Sequence, residues 1–151
     1  MKKFLILLLL VLVSFACKKE NQIEKNLWKK GGEWNIVSWH VKSTSTHFPE
    51  DNYTETRKNV GTMKFNKDGS GSFILTEGTS AYTEPFTYHN TESTLTIFDE
   101  DGDGEIFDLD WKKNKMTLSS YEEETYTSGD GFGGEVTVFH TYKIVIDLEK
   151  K

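Results

Sequence analysis

"DEDGDGEIFDLDW", Asp99 to Trp111, admits two readings that imply different folds. An EF-hand-type calcium loop places oxygen ligands at positions 1, 3 and 5, glycine at 6, an apolar residue at 8 and a carboxylate at 12. Asp99, Asp101, Asp103, Gly104, Ile106 and Asp110 meet all six requirements. An EF-hand also needs a helix on each side. Here Leu95 and Ile97 alternate with threonine before the loop, and Phe107, Leu109 and Trp111 alternate with aspartate after it. That is the two-residue period of a strand. With Gly102-Asp103-Gly104 as a three-residue hairpin loop, Asp101 faces Glu105, Ile97 faces Leu109 and Leu95 faces Trp111. Gly104 then takes the left-handed position of the loop. The five apolar side chains share one face, and slipping the register by one residue would bury charge. Asp110 points away from such a loop. The stretch is therefore read as a β-hairpin, with a partial calcium site at Asp99, Asp101, Asp103 and Glu105 as the lesser alternative. No other cofactor is expected.

The same alternation recurs outward from this hairpin. "EWNIVSWHV", the two halves of "VGTMKFNKDGSGSFILTE" around Lys67-Asp68-Gly69, "EPFTYHN", "STLTIF", "EIFDLDW", "KMTLSSYEEETY" and "GEVTVFHTYKIVIDLEK" read as eight strands. Connections are short, and Pro49 and Pro85 fall between strand-like runs. Strand–helix alternation is missing, which argues against a parallel sheet. The predicted fold is all-β, an eight-stranded antiparallel up-and-down barrel.

The N-terminus reads differently. Lys2 and Lys3 precede an apolar run, Phe4 to Val13, that is too short to span a membrane. Small residues lead to Cys17, the layout of a secretory signal peptide. Cys17 is the only cysteine, so no disulfide framework is expected and the residue is read as a lipid attachment site. Residues 1–17 are then the signal peptide. Residues 18–30 form a tether and a short helix stopping at Gly31-Gly32, and 31–151 form the barrel domain.

"SFAC" (Ser14–Cys17) resembles a bacterial lipobox. "GGEWNIVSW" places Gly32 two residues before Trp34, and G-x-W opening the first strand after a short helix resembles the lipocalins. With "MKFNKDGSGSF" and the meandering strands, residues 27–149 look most like the small bacterial lipocalin-like domain lipoproteins. The resemblance implies a calycin-type barrel in the cell envelope, most simply lipid-anchored to the outer membrane. Lipocalins also place an arginine near the end of the barrel, over that tryptophan. The single arginine here, Arg57, falls early.

Charge excludes some functions. Losing Lys2 and Lys3 takes the basic count from 18 to 16 against 24 acidic residues, leaving −8. Such a chain repels nucleic acid and anionic headgroups alike. "GDGFGG" (Gly129–Gly134) fits G-x-G-x-x-G, but a strand follows it where a dinucleotide site needs a helix. His40, His47, His89 and His140 share no metal-ligand spacing. Since no nucleophile–base set can be named, the chain is read as a non-enzyme. Two functions remain. The first is a barrel binding a small, partly apolar molecule, with Trp34, Trp39, His40, Phe65, Phe73, Phe107, Trp111, His140 and Tyr142 on its interior. His40 is counted inward by its phase with Trp34 and Ile36. The second is a filled structural barrel that meets another envelope protein.

Overall fold

The computed structural model describes residues 22–77, 80–129 and 133–151; the expected signal peptide, Cys17 and the centre of the glycine-rich loop lie outside these. A short α-helix, residues 22–28, leads through a 3-10 turn, Lys29–Gly31, into eight strands. These are β1 (Glu33–Ser45), β2 (Tyr53–Phe65), β3 (Ser70–Glu77), β4 (Ser80–Asn90), β5 (Thr94–Phe98), β6 (Gly104–Lys112), β7 (Lys115–Gly129) and β8 (Glu135–Lys150). Each pairs antiparallel with the next, and β8 pairs with β1, closing the barrel.

Threonine, valine and aromatic residues suit these strands because their side chains pack on a pleated, half-buried surface. Inward positions on β8 are Val138, His140, Tyr142, Ile144, Ile146 and Leu148, the alternation read from the sequence. On β1 the alternation breaks. The register shifts between Ile36 and Ser38, so Val37 is an extra residue relative to β8. A bulge of this kind flips every later side chain to the other face. Trp34 and Ile36 point in before it, and Trp39, Val41, Ser43 and Ser45 point in after it. His40 is therefore on the outer face, with Nδ1 2.8 Å from Thr56 Oγ1, and is no interior residue.

The β5–β6 hairpin forms as expected, with a different loop. Phe98 pairs with Gly104, Ile97 with Glu105 and Leu95 with Phe107. The turn is Asp99–Asp103, closed by the Asp99 N–H donating to Asp103 O at 3.0 Å. The pairing is shifted by four residues from the expected one, an even number, so inward and outward faces are kept. Gly102, at φ 90°, takes the left-handed position expected of Gly104. Gly104 is needed for another reason: the Phe98 ring lies where its Cβ would be.

The two ends of the barrel differ. At the end nearest the helix, Trp34, Met63, Phe65, Leu95, Met116, Leu118 and Leu148 are at most 2 % exposed and fill the interior. Each such side chain contributes about 1.5–3 kcal/mol of burial. Leu27 of the helix plugs this closed end, and Trp34 Nε1 donates to Leu27 O at 3.0 Å.

At the other end the strands part. The β2–β3 ladder covers only Gly61–Phe65 of β2. The β4–β5 ladder covers Thr87–Asn90 of β4, and the β6–β7 ladder Asp108–Lys112 of β6. The ladders of β7–β8, β8–β1, β1–β2 and β3–β4 continue past these limits. The open end thus consists of a four-stranded sheet and two hairpins, with three seams between them.

Candidate functional site

Three recesses lie at the three seams. The first, ≈520 Å³, lies where β4 leaves β5; it is lined by Trp39, Phe73, Glu84, Phe86, Glu105 and Phe107, with Ile144, Ile146 and the Asp99–Asp103 turn. The second, ≈530 Å³, lies where β2 leaves β3; its walls include Trp39, Val41, Tyr53, Leu75, Glu84 and Tyr142. Trp39 and Glu84 belong to both, so the two cavities adjoin across these side chains. The third, ≈270 Å³, sits between β6 and β7 against Asp99, Asp103, Glu105, Glu122 and Tyr142.

An aromatic chain floors the open end. Trp39 and Phe73 have ring centroids 5.8 Å apart, and Phe73 and Phe86 5.0 Å. Phe86 then meets Phe65 at 5.6 Å, and Phe65 meets Tyr88 at 5.1 Å, both edge-to-face. Such ring pairs add about 0.5–1.5 kcal/mol each beyond area burial. Tyr88 donates its hydroxyl to Asn66 O at 2.6 Å, and burial pushes its pKa up to about 12.

Polar groups crown this floor. Glu105 points inward, paired across from Ile97. Burial raises its pKa, a hydrogen bond with Ser120 opposes the rise, and the Glu122 charge adds to it. Tyr142 is raised as well, first by burial and then by a hydrogen bond with Tyr53. His140 also faces inward, with Nε2 3.0 Å from Ser43 Oγ. Arg57 meets Glu55 through Nε at 2.7 Å and Nη2 at 3.3 Å.

The interior residues named from sequence therefore separate into groups. Phe73, Phe107 and Tyr142 line the open cavities. Trp34 and Phe65 are buried packing at the closed end. Trp111 is half-buried there, edge-on to Trp34 at 5.0 Å. These three tryptophan and phenylalanine positions lie outside the walls of the three open-end recesses. His140 faces in, and His40 faces out. Glu84 and Phe86 were missed. Their signal was present, because Glu84, Phe86 and Tyr88 alternate within "EPFTYHN".

The calcium candidates are arranged as a turn. Asp99 Oδ1 accepts from the N–H groups of Asp101 at 3.0 Å and Asp103 at 2.9 Å. Glu105 is turned into the barrel, where it lines a recess with Asp99 and Asp103. Among the described residues, no group of three or more acidic, histidine or cysteine side chains has metal-holding geometry.

The closed end carries the opposite charge. Lys29, Lys30, Lys113 and Lys150 surround a ≈190 Å³ recess over Trp34 and Trp111. Lys150 Nζ donates to Asn26 O at 3.2 Å and Leu27 O at 3.1 Å. Burial and the neighbouring Lys30 pull its pKa down to about 8. No protein-family model matches the chain, and no curated protein matches its sequence significantly.

Proposed function

We propose that this chain is a lipid-anchored envelope lipoprotein whose lipocalin-like barrel binds a small, partly apolar molecule at its open end. One observation carries the binding reading. The core fills only the closed half, and the open half keeps two adjoining cavities of ≈520 and ≈530 Å³ with aromatic walls. Small eight-stranded barrels are either filled by side chains or hold one small ligand, and cavities of this size suit the latter. A filled, purely structural barrel accounts for the closed half alone.

Two features support the lipocalin-like and anchored parts. Lys150 covers Trp34, where the resemblance implies an arginine. The helix at residues 22–28, which follows Cys17 closely in sequence, packs at the closed end through Leu27. The lysine-lined recess lies there too. A net negative chain can thus turn a basic end to anionic headgroups, its mouth facing away.

The test is native mass spectrometry of the protein isolated from its own host, followed by titration with the neutral apolar dye Nile red. A co-purifying small molecule, or stoichiometric dye binding lost in Ile144→Trp, is expected. Absence of both a co-purifying ligand and dye binding would overturn the reading. Cys17→Ala is expected to release the domain from membranes, and membrane retention after processing would overturn the anchor.

A further inference from the structure

We infer that the ligand of the open-end cavity is a cation with an apolar body, such as an alkyl- or aryl-ammonium compound. This rests on the binding reading above and names the class of molecule bound. The cavity itself is the site, and its walls set the sign. The first cavity combines the rings of Trp39, Phe73, Phe86 and Phe107 with six carboxylates: Glu84, Glu105 and the tip residues Asp99, Glu100, Asp101 and Asp103. Its wall holds no lysine, arginine or histidine among the described residues. The adjoining cavity holds Arg57, but that guanidinium is engaged by Glu55 through two hydrogen bonds.

The chemistry selects against other ligand classes. An anion would enter a recess lined by six carboxylates, all of which repel it, and by no cation among the described residues. A neutral molecule would gain the aromatic walls alone. A cation gains both, because ring faces are negative and attract ammonium groups within about 6 Å. Glu105 adds a specific place for the charge. It is half-buried, faces the cavity beside Phe107, and shares the recess at the β6–β7 seam with Glu122, whose charge acts on it. An ammonium group seated there would relieve two facing carboxylates, while its apolar body lay against Phe73 and Phe86. The acidic residues of the Asp99–Asp103 turn at the mouth also favour the approach of cations.

Three probes sharing one ring body test the inference by calorimetry on the full chain in lipid nanodiscs, with empty nanodiscs as the blank. They are naphthylmethyl-trimethylammonium, naphthylmethanol and naphthylacetate. The ammonium probe is expected to bind about tenfold tighter than the alcohol, the acetate most weakly, and the advantage to shrink with added salt. In Glu84→Gln/Glu105→Gln the alcohol keeps its affinity and the ammonium falls to within about threefold of it. Equal binding of alcohol and ammonium, or tightest binding of the acetate, overturns the inference and leaves the cavity as a ligand site. Failure of all three, with no Nile red binding either, removes the binding reading along with it.

Discussion

Lys150 Nζ stands 4.4 Å above the centroid of the Trp34 indole ring. The two residues are 116 positions apart and lie on paired strands, with Trp34 opposite Lys150 in the β1–β8 ladder. The same ammonium donates to the last carbonyls of the plugging helix. One side chain therefore ties the helix, the first strand and the last strand together. Lys150→Ala is expected to cost about 1–2 kcal/mol, from a cation–π contact and two charge-assisted hydrogen bonds. Lys150→Arg is expected to keep most of that. Urea unfolding followed by tryptophan fluorescence measures both, and an alanine variant as stable as wild type would mean that the lysine only rests there.

Val37 tests the bulge. Val37→Ala changes an outward, 38 % exposed side chain and is expected to cost less than about 1 kcal/mol. Deleting Val37 is a different perturbation. It would remove the extra residue and restore strict alternation while leaving Trp39 and Val41 inward and Ser38 and His40 outward. The deletion is expected to keep a cooperative unfolding transition, at a cost in stability. Loss of the fold on deletion would show that Val37 is not the extra residue.

The hairpin tip makes a paired prediction. Asp99 accepts two backbone N–H groups, so Asp99→Ala is expected to cost about 1–2 kcal/mol. The Asp103 side chain makes no hydrogen bond that closes the turn, and Asp103→Ala is expected to cost less than about 0.5 kcal/mol. Millimolar calcium is expected to leave the melting temperature of the wild type unchanged. A calcium-dependent rise that disappears in Asp101→Ala would restore the metal reading.

Glu105 gives the pH dependence. Its pKa is raised in the folded state, chiefly by burial, so the native protein holds a proton at pH values where the unfolded chain has lost it. Its contribution to stability is full below the unfolded value of about 4.3 and is lost as pH rises through the folded value. Glu105→Gln, which keeps a hydrogen-bonding partner for Ser120, is therefore expected to be more stable than wild type at pH 7 and equal to it at pH 4. The gain stays under about 1 kcal/mol, because the half-exposed carboxyl is screened by water. Thermal melts of both proteins across that range would show a constant difference if burial of this charge were without effect.

The barrel itself was legible in the order of residues, because inward and outward faces follow a local two-residue period. Leu95, Ile97 and Phe107 carry that period plainly, and an error of four residues in the β5–β6 register, an even number, left their faces unchanged. Ile144, Ile146 and Leu148 were legible in the same way. His40 was not, because its face depends on a bulge set by the ladders on both sides of β1, and nothing in "EWNIVSWHV" marks Val37 as the extra residue. The division into a filled half and a hollow half was equally hidden. It depends on where β2 leaves β3, β4 leaves β5 and β6 leaves β7, and those seams are relations between strands. Chain order alone thus determined the strands, their closure into a barrel and the tryptophan at its sealed end. Only the tertiary structure brought Trp39, Glu84, Glu105 and Tyr142 to one mouth, because side chains on four different strands converge only once the sheet has curved and closed.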